Sequence, residues 1–265
     1  MAQNFLYHTS TLLIVAILFA GIILSYLLGI HILNYRIQKN PSLTVDGLGA
    51  LEGALLGLLS LMLAFTFNKS ASNYDTRRNI LLHEANNIGT VLLRADLYPD
   101  TLRKEFRTDV KQYLKTRIEY YRAGNDETKI AASITGANLV AEKIWNRATA
   151  VSRQGGETVR SMQMIPAVNA MIDSISEREE ARIARVPAVN LYSLFILCLT
   201  GSFIIGYAGK SKKTDWVIII SYTLMTVLTV FLILDLDRPR RGIIHTNDVH
   251  RNIEQLYNSV QDTGE

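Results

Sequence analysis

The sequence predicts an all-α membrane protein in which two hydrophobic helical hairpins flank a soluble bundle of helices. Of its 265 residues, 48% are hydrophobic and 20% are charged. Such a chain is too apolar for an ordinary soluble domain and too charged to lie in lipid throughout. The apolar residues are concentrated in four stretches, and between the second and third stretch they recur at helical spacing instead.

The four apolar stretches are each long enough to cross a bilayer, because about 20 residues at 1.5 Å per residue span a hydrocarbon core of about 30 Å. They cover residues 11–33, 47–67, 188–208 and 216–234. The first lacks a basic leader and a small-residue cleavage site. We therefore expect it to remain as a membrane span rather than to be removed as a signal peptide.

The second stretch is predicted to continue as a long helix into the soluble domain. No proline occurs between Pro41 and Pro99. Beyond the membrane, apolar residues recur at spacings of four, three, four and three: Leu81, Ala85, Ile88, Leu92 and Ala95. Such a stripe is typical of one packed helix face. Residues 46–97 are thus predicted to form one helix of roughly 75–80 Å.

Three further soluble helices complete the predicted bundle. One covers residues 101–122, and a turn at 123–126 supplies an N-cap for the next, which Gly155-Gly156 ends. The last is expected over about 166–185, because proline suits a first helical turn. Short runs separated by turns favour an antiparallel bundle over a coiled coil.

The predicted domains are a first hairpin (1–68), a soluble helical domain (69–186), a second hairpin (187–237) and a polar C-terminal tail (238–265). Each hairpin returns the chain to the side it left, so the soluble domain and both termini are predicted to share one side of the cell membrane. Basic residues in the short loops and in the tails nearly balance. The positive-inside rule therefore leaves the side open.

Composition and motifs argue against several function classes. The net charge of +4 comes from a mixed surface without a long basic block, so nucleic acid is not an expected partner. No phosphate loop, nucleophile elbow or zinc motif occurs, and we predict no enzyme, metal or cofactor. Cys198, in an apolar span, is expected to be inert. His245 and His250 are expected in a solvated tail rather than in a metal site.

Small residues distinguish the second span. Gly49, Gly53 and Gly57 repeat every four residues, which predicts close packing against another helix, within the chain or between chains. Glu52 carries the only formal charge in the four stretches, and a carboxylate facing lipid is costly. It is interpreted either as a structural anchor toward Arg36, Lys39 or the basic 210–213 loop, or as a carboxylate ring at the mouth of an oligomeric pore.

Two further sets of residues are candidates. The first set is apolar and lies on the second span: Leu56, Leu59, Leu63 and Phe67. These residues either form an apolar constriction that gates by dewetting or are ordinary packed or lipid-facing positions. An ion-paired helix end that anchors the fourth span at the interface is expected from Asp235, Asp237, Arg238, Arg240 and Arg241.

Five segments carry a resemblance to a known family. They are Leu63-Ala64-Phe65-Thr66-Phe67, Tyr74-Asp75-Thr76-Arg77-Arg78, Glu84-Ala85-Asn86-Asn87-Ile88-Gly89-Thr90, Leu93-Arg94-Ala95-Asp96-Leu97 and Leu234-Asp235-Leu236-Asp237-Arg238-Pro239-Arg240-Arg241-Gly242. In these segments the chain resembles the bacterial and plant membrane family of unknown function described as bestrophin-like. The similarity extends over nearly the full chain.

The resemblance implies the architecture of bestrophins, which are pentameric ion channels whose second membrane helix lines the pore beneath a helical vestibule. It implies a homo-oligomer, a pentamer, in membrane lipid that conducts ions. The calcium-clasp residues and apolar neck of animal bestrophins have no identified match here, so selectivity and calcium gating do not transfer. The alternative function is a non-conducting membrane scaffold or sensor that binds a partner through its helical domain.

Overall fold

The computed structural model describes residues 9–40, 48–208, 216–238, 243–244 and 247–262. These residues form α-helices joined by turns, with no strand among them, which confirms the predicted all-α fold. The helices are α1 (Thr11–Lys39), α2 (Leu48–Ala95), α3 (Asp100–Arg122), α4 (Glu127–Ser152), α5 (Thr158–Ile183), α6 (Ala188–Ala208), α7 (Trp216–Leu236) and α8 (Asn247–Asp262).

The chain divides into two compact units. The first unit contains Met1–Tyr74 and Arg185–Ile244, and the second contains Asp75–Ala184 and His245–Glu265. Four helices, α1, α2, α6 and α7, are long and apolar enough to cross a membrane, as predicted. We call the first unit the membrane unit and the second the soluble unit.

In the membrane unit, α1 and α6 approach each other so closely that their glycines have no room for a side chain. A Cβ atom on Gly29 would overlap the carbonyl oxygen of Phe203, and one on Gly206 would overlap that of Tyr26. Hydroxyl groups join the same two helices. Ser25 Oγ donates to the Leu199 carbonyl and Ser202 Oγ to the Ile22 carbonyl, each at 2.7 Å. Backbone contact and uncharged hydrogen bonds thus hold the two helices together.

Helix α2 is continuous for 48 residues, about 72 Å at 1.5 Å per residue. Its first part belongs to the membrane unit and its last part, from Asp75, to the soluble unit. The predicted extension of the second membrane helix into the soluble domain is therefore confirmed. The predicted starting residues 46–47 lie outside the described residues.

The soluble unit has a core of apolar side chains from the end of α2 and from α3, α4, α5 and α8. The predicted turn between α3 and α4 is present: Gly124 has φ +58° and the Asp126 carboxylate accepts hydrogen bonds at 3.1 Å from the backbone amides of Thr128 and Lys129. Those bonds satisfy amides that have no partner inside the first helical turn.

The predicted start of the last soluble helix at about residue 166 was wrong. Helix α5 begins at Thr158 and contains Pro166 in its interior. An internal proline removes one helical hydrogen bond and leaves the carbonyl of Met162 without its amide donor. Both Pro166 and Met162 lie on the exposed side of α5, where water can hydrate that carbonyl.

The C-terminal tail was predicted to be solvated, but part of it is buried. Helix α8 packs Val249, Ile253 and Val260 into the soluble unit, each at most 6% exposed. His250 is buried and stacks on the Tyr121 ring at a centroid distance of 3.7 Å. His245 lies outside the described residues.

Candidate functional site

The glycines of the second span lie on an exposed face of α2. Among the residues that the structure describes, no atom would lie within 4 Å of a Cβ atom added at Gly49, Gly53 or Gly57. Ser60 and Ala64, also exposed, continue this stripe, since they lie within about 60° of Gly49 around a helix of 3.6 residues per turn. We call these five small residues the open face. Their packing against a second chain stays a prediction.

Glu52 lies beside the open face and is half-buried. Within the described part of the chain it makes no hydrogen bond or ion pair. Its suggested structural partners have other contacts: Arg36 Nη1 donates to Tyr207 Oη at 2.5 Å, and the Lys39 ammonium lies 4.7 Å from the Tyr35 ring centre. The basic loop at 210–213 lies outside the described residues.

The four apolar pore candidates do not share one environment. Leu59 is 3% exposed and belongs to the core of the membrane unit, with Leu63 packed against that core. Leu56 is half-buried, and its Cδ2 atom would lie 3.9 Å from a Cβ atom added at Gly201 on α6. Phe67 is 39% exposed and, at 100° per residue, lies at the same angle as Gly49. Of the four, only Phe67 extends the open face, and the constriction stays a prediction.

The end of α7 forms a buried polar joint within the membrane unit. Asp235 accepts hydrogen bonds from the backbone amides of Ile243 and Ile244, each at 2.9 Å to its nearer carboxylate oxygen. Arg238 Nη1 donates to the Thr9 carbonyl at 2.7 Å and to Thr11 Oγ1 at 3.0 Å.

Asp237, in the same joint, accepts at 3.0 Å from the amide of Val186 and at 3.3 Å from Asn73 Nδ2. Backbone amides are therefore prominent among the partners of both carboxylates. Arg240 and Arg241 lie outside the described residues, so the predicted ion pairing of this helix end stays a prediction.

A second polar cluster, in the soluble unit, was not predicted from the sequence. Glu84 on α2, Arg117 on α3 and Arg178 on α5 are all buried. Arg117 Nε donates to Glu84 Oε1, and Arg178 Nη1 donates to Glu84 Oε2 at 2.7 Å. Burial raises the pKa of Glu84, but the two guanidiniums outweigh burial and lower that pKa below its ordinary value of 4.5.

The same helix pair, α2 and α5, carries further polar contacts along its seam. Arg77 Nε donates to the Ala181 carbonyl at 3.0 Å. Asn87 Nδ2 donates at 3.1 Å to the Ala170 carbonyl and at 3.0 Å to Ser174 Oγ. Glu84 lies within a segment used for the family resemblance, which was the one sequence signal for this cluster.

Comparisons with known proteins cover parts of both units of the chain. Residues 28–249 match a family model described as a bestrophin-like domain. The fold is similar to a bacterial bestrophin homologue from Klebsiella pneumoniae: one variant gives TM-score 0.70 at 15% identity over 95% of this chain and 100% of that chain. A second variant gives TM-score 0.69 at 15% identity, over 94% and 99%.

A crystal structure described as a membrane protein is also similar, with TM-score 0.67 at 14% identity over 94% of this chain and 98% of that chain. At such identities the likeness establishes the fold. No curated protein matches the chain.

Proposed function

The chain belongs to the bestrophin-like family, and from that premise we propose that it is a homo-oligomeric ion channel of the cell membrane, its second helix facing the pore axis. Bestrophins, which the family resembles in architecture, are ion channels. The soluble unit and both termini are proposed to share one side of the membrane, because an even number of spans returns the chain to its starting side.

The open face of α2 is the observation that carries this proposal. Small residues in a membrane helix permit close contact with another helix, yet a Cβ atom added at Gly49, Gly53 or Gly57 would meet no atom of the described residues within 4 Å. Copies of α2 arranged around a symmetry axis would give this face either a neighbouring helix or a water-filled pore to border. We propose five copies, by resemblance to bestrophins.

Glu52 would supply the charge at one end of this pore. It has no hydrogen-bond or ion-pair partner among the described residues, and a carboxylate in contact with lipid would be costly. Repeated by symmetry, it forms an acidic ring that raises the local cation concentration. Phe67, 15 residues further along the same helix, about 22 Å away, would supply an apolar ring at the other end.

Electrical recording from the purified protein in a planar bilayer tests the proposal. We expect single-channel conductance, and we expect Glu52→Gln to lower cation permeability relative to anions at 0.1 M salt. The difference should fade at 1 M, where the Debye length falls from about 10 Å to about 3 Å. Particle mass should be unchanged.

Ser60→Ala is the matched control, because it alters the open face without changing charge. A reversal potential unaffected by Glu52→Gln at low salt, together with a less stable particle, would reject the pore role and support the structural anchor. A particle that is monomeric at every concentration would reject the channel itself.

A second function, a non-conducting scaffold or sensor, is favoured by a groove of about 320 Å³ in the soluble unit. It lies between α3 and α8 and is lined by Lys115, Glu119, Arg122, Glu254 and Tyr257, among others. Such a mixed-charge groove suits a polar peptide segment. Absence of conductance in a protein of normal mass and stability would favour this function.

A further inference from the structure

Helix α5 carries three exposed carboxylates on one face of the soluble unit, which we call the acidic stripe. They are Asp173, Glu177 and Glu180. At 100° per residue they lie within about 60° of one another around the helix. Arginines of the same helix have other partners: Arg178 pairs with Glu84, and Arg182 pairs with Glu179. Within the described part of the chain the acidic stripe therefore has no ion-pair partner.

Helix α3 carries a row of cations on its outer face, which we call the basic stripe. It consists of Lys104, Lys111, Lys115 and Arg122. These four residues lie within about 40° of one another around the helix. Two acids reduce the charge of this surface: Glu119 is exposed on the same helix, and Glu254 of α8 lies 3.4 Å from Arg122. Four cations against two carboxylates leave the surface with a positive surplus.

The two stripes lie on different sides of the bundle. Helix α4 packs against both α3 and α5 and separates them on one side, and α8 packs against α3 on the other. Helix α2 lies beside α5 and antiparallel to it, because Arg77 donates to the Ala181 carbonyl and Asn87 donates to the Ala170 carbonyl. The acidic and basic stripes thus point away from the core in different directions and are not paired with each other inside one chain.

Contacts between α3 and α5 in the core show which of their residues lie at the same height. Tyr113 Oη donates to the Met171 carbonyl at 3.3 Å, and Tyr120 Oη donates to Glu179 Oε2 at 2.8 Å. The two helices therefore run in the same direction. Each α3 residue is level with the α5 residue 58 or 59 positions later in the chain.

By this offset the acidic stripe is level with the second half of the basic stripe. Asp173 is level with Lys115, and Glu180 is level with Arg122. Neighbouring chains in a ring of more than two copies touch through two different surfaces. Rotation about the ring axis moves no atom along that axis, so the two surfaces must lie at equal height. Opposite charges on different sides of one bundle, at equal height, meet this requirement.

We propose that the acidic stripe of one chain docks on the basic stripe of the next chain around the ring. The contact rests on the homo-oligomer proposed above and names the surface through which its soluble units meet. A two-fold dimer that joined two α5 faces would bring like charges together, whereas the ring brings opposite charges together. Exposed ion pairs add little affinity, so their role here is to select the neighbour and its orientation.

Cross-linking of the full-length protein in detergent tests the contact. Lys115→Cys and Asp173→Cys are combined in a Cys198→Ser background and treated with a short bismaleimide. We expect a ladder of covalent multimers on a denaturing gel, because the two cysteines come from neighbouring chains. Lys115→Cys with Glu142→Cys is the matched control, since Glu142 is an exposed carboxylate of α4 outside both stripes. The control should run at the size of one chain.

Charge reversal is the second measurement. Lys115→Glu and Asp173→Lys each place like charges across the contact, and each should lower the association constant of the particle by about tenfold at 0.1 M salt. The double variant restores opposite charges and should recover the wild-type value. Glu142→Lys makes the same change of charge as Asp173→Lys and should have no effect. At 1 M salt, where the Debye length is about 3 Å, the losses should shrink.

The outcomes separate this contact from the proposed channel. A particle that is oligomeric by mass but gives no ladder would overturn the docking of the stripes and leave the homo-oligomer standing. So would a double variant that assembles no better than its two parents. A wild-type protein that is monomeric at every concentration would overturn both proposals. A ladder with charge-reversal rescue, in a protein that does not conduct, would support the contact and reject only the channel.

Discussion

The contact between α1 and α6 in the membrane unit and the contact between α2 and α5 in the soluble unit bury their polar groups in opposite ways. Between α1 and α6 the contacts are backbone against glycine and hydroxyl to carbonyl. Between α2 and α5 they are a carboxylate, guanidiniums and amides, with Glu84 at 0% exposure. Lipid tails are as apolar as the helices, so the hydrophobic effect does not drive helices together inside a membrane. Close packing must supply the driving force there instead. In the soluble unit the apolar core supplies that force, and charged groups can be buried if they are paired.

Removing the one carboxylate of the soluble cluster should have the largest effect. Glu84→Gln keeps the shape but leaves two buried guanidiniums without a counter-charge, which costs about 3–5 kcal/mol when a buried pair is broken. We expect a large drop in Tm of the full-length protein and early protease cleavage in residues 75–184. A small effect would mean that the cluster is hydrated. The difference between the charged α2–α5 contact and the uncharged α1–α6 contact would then no longer hold.

Filling the glycine contact should disrupt the membrane unit next most strongly. Gly206→Leu places a side chain against the backbone of Tyr26, and forced overpacking costs about 1–3 kcal/mol or more. The expected result is a lower Tm with intact soluble-unit helices by circular dichroism. If Gly206→Leu were as stable as wild type, the close contact between Gly206 and the backbone of Tyr26 would be contradicted.

Acid should reduce the effect of Glu84→Gln. The folded-state pKa of Glu84 is lowered, so its contribution is fully present above the ordinary value of 4.5 and is lost as pH falls through the folded value. The Tm difference between wild type and Glu84→Gln should therefore be constant from pH 6 to 8 and narrow below about 4.5. A Tm difference that widens in acid would contradict the lowered pKa of Glu84.

Gly57→Leu should have the smallest effect on the folded chain. No atom of the described part of the chain lies within 4 Å of a Cβ at this position, so the stability of a single copy should change by less than about 0.5 kcal/mol. Particle mass, measured in the same detergent, should instead shift toward smaller assemblies. An unchanged mass would show that the open face of α2 does not contact a second chain.

Local patterns in the sequence were sufficient for the four membrane helices and insufficient for their partners. Hydropathy gave the four spans and apolar spacing gave the continuous α2, because both depend on neighbours along one chain segment. Glu84 and Arg117 are 33 residues apart, and no local pattern links them. Gly29 and Gly206 resemble any other membrane glycines until the crossing of α1 and α6 is known.

Helix α8 is a different case, because apolar spacing that indicates a packed helix is present in its own sequence. Apolar residues recur there at helical spacing, at Val249, Ile253, Leu256 and Val260, and the prediction of a polar tail did not take account of them. The same segment carries charged residues, including Asp248 and Glu254. They pair with Arg78 at 3.5 Å and with Arg122 at 3.4 Å, respectively, on the soluble unit.

Helix α8 follows the second hairpin in the chain, and this order sets the order of biosynthesis. Ile253 and Val260 belong to the same core as residues of α3, α4 and α5, but they are translated after the second hairpin. From the end of α5 at Ile183 to the end of α8 at Asp262, synthesis at about 5–20 residues per second takes roughly 4–16 s. During that interval the core of the soluble unit lacks the side chains of α8 and keeps an unfilled apolar groove. A nascent chain halted before α8 would expose that groove to chaperones.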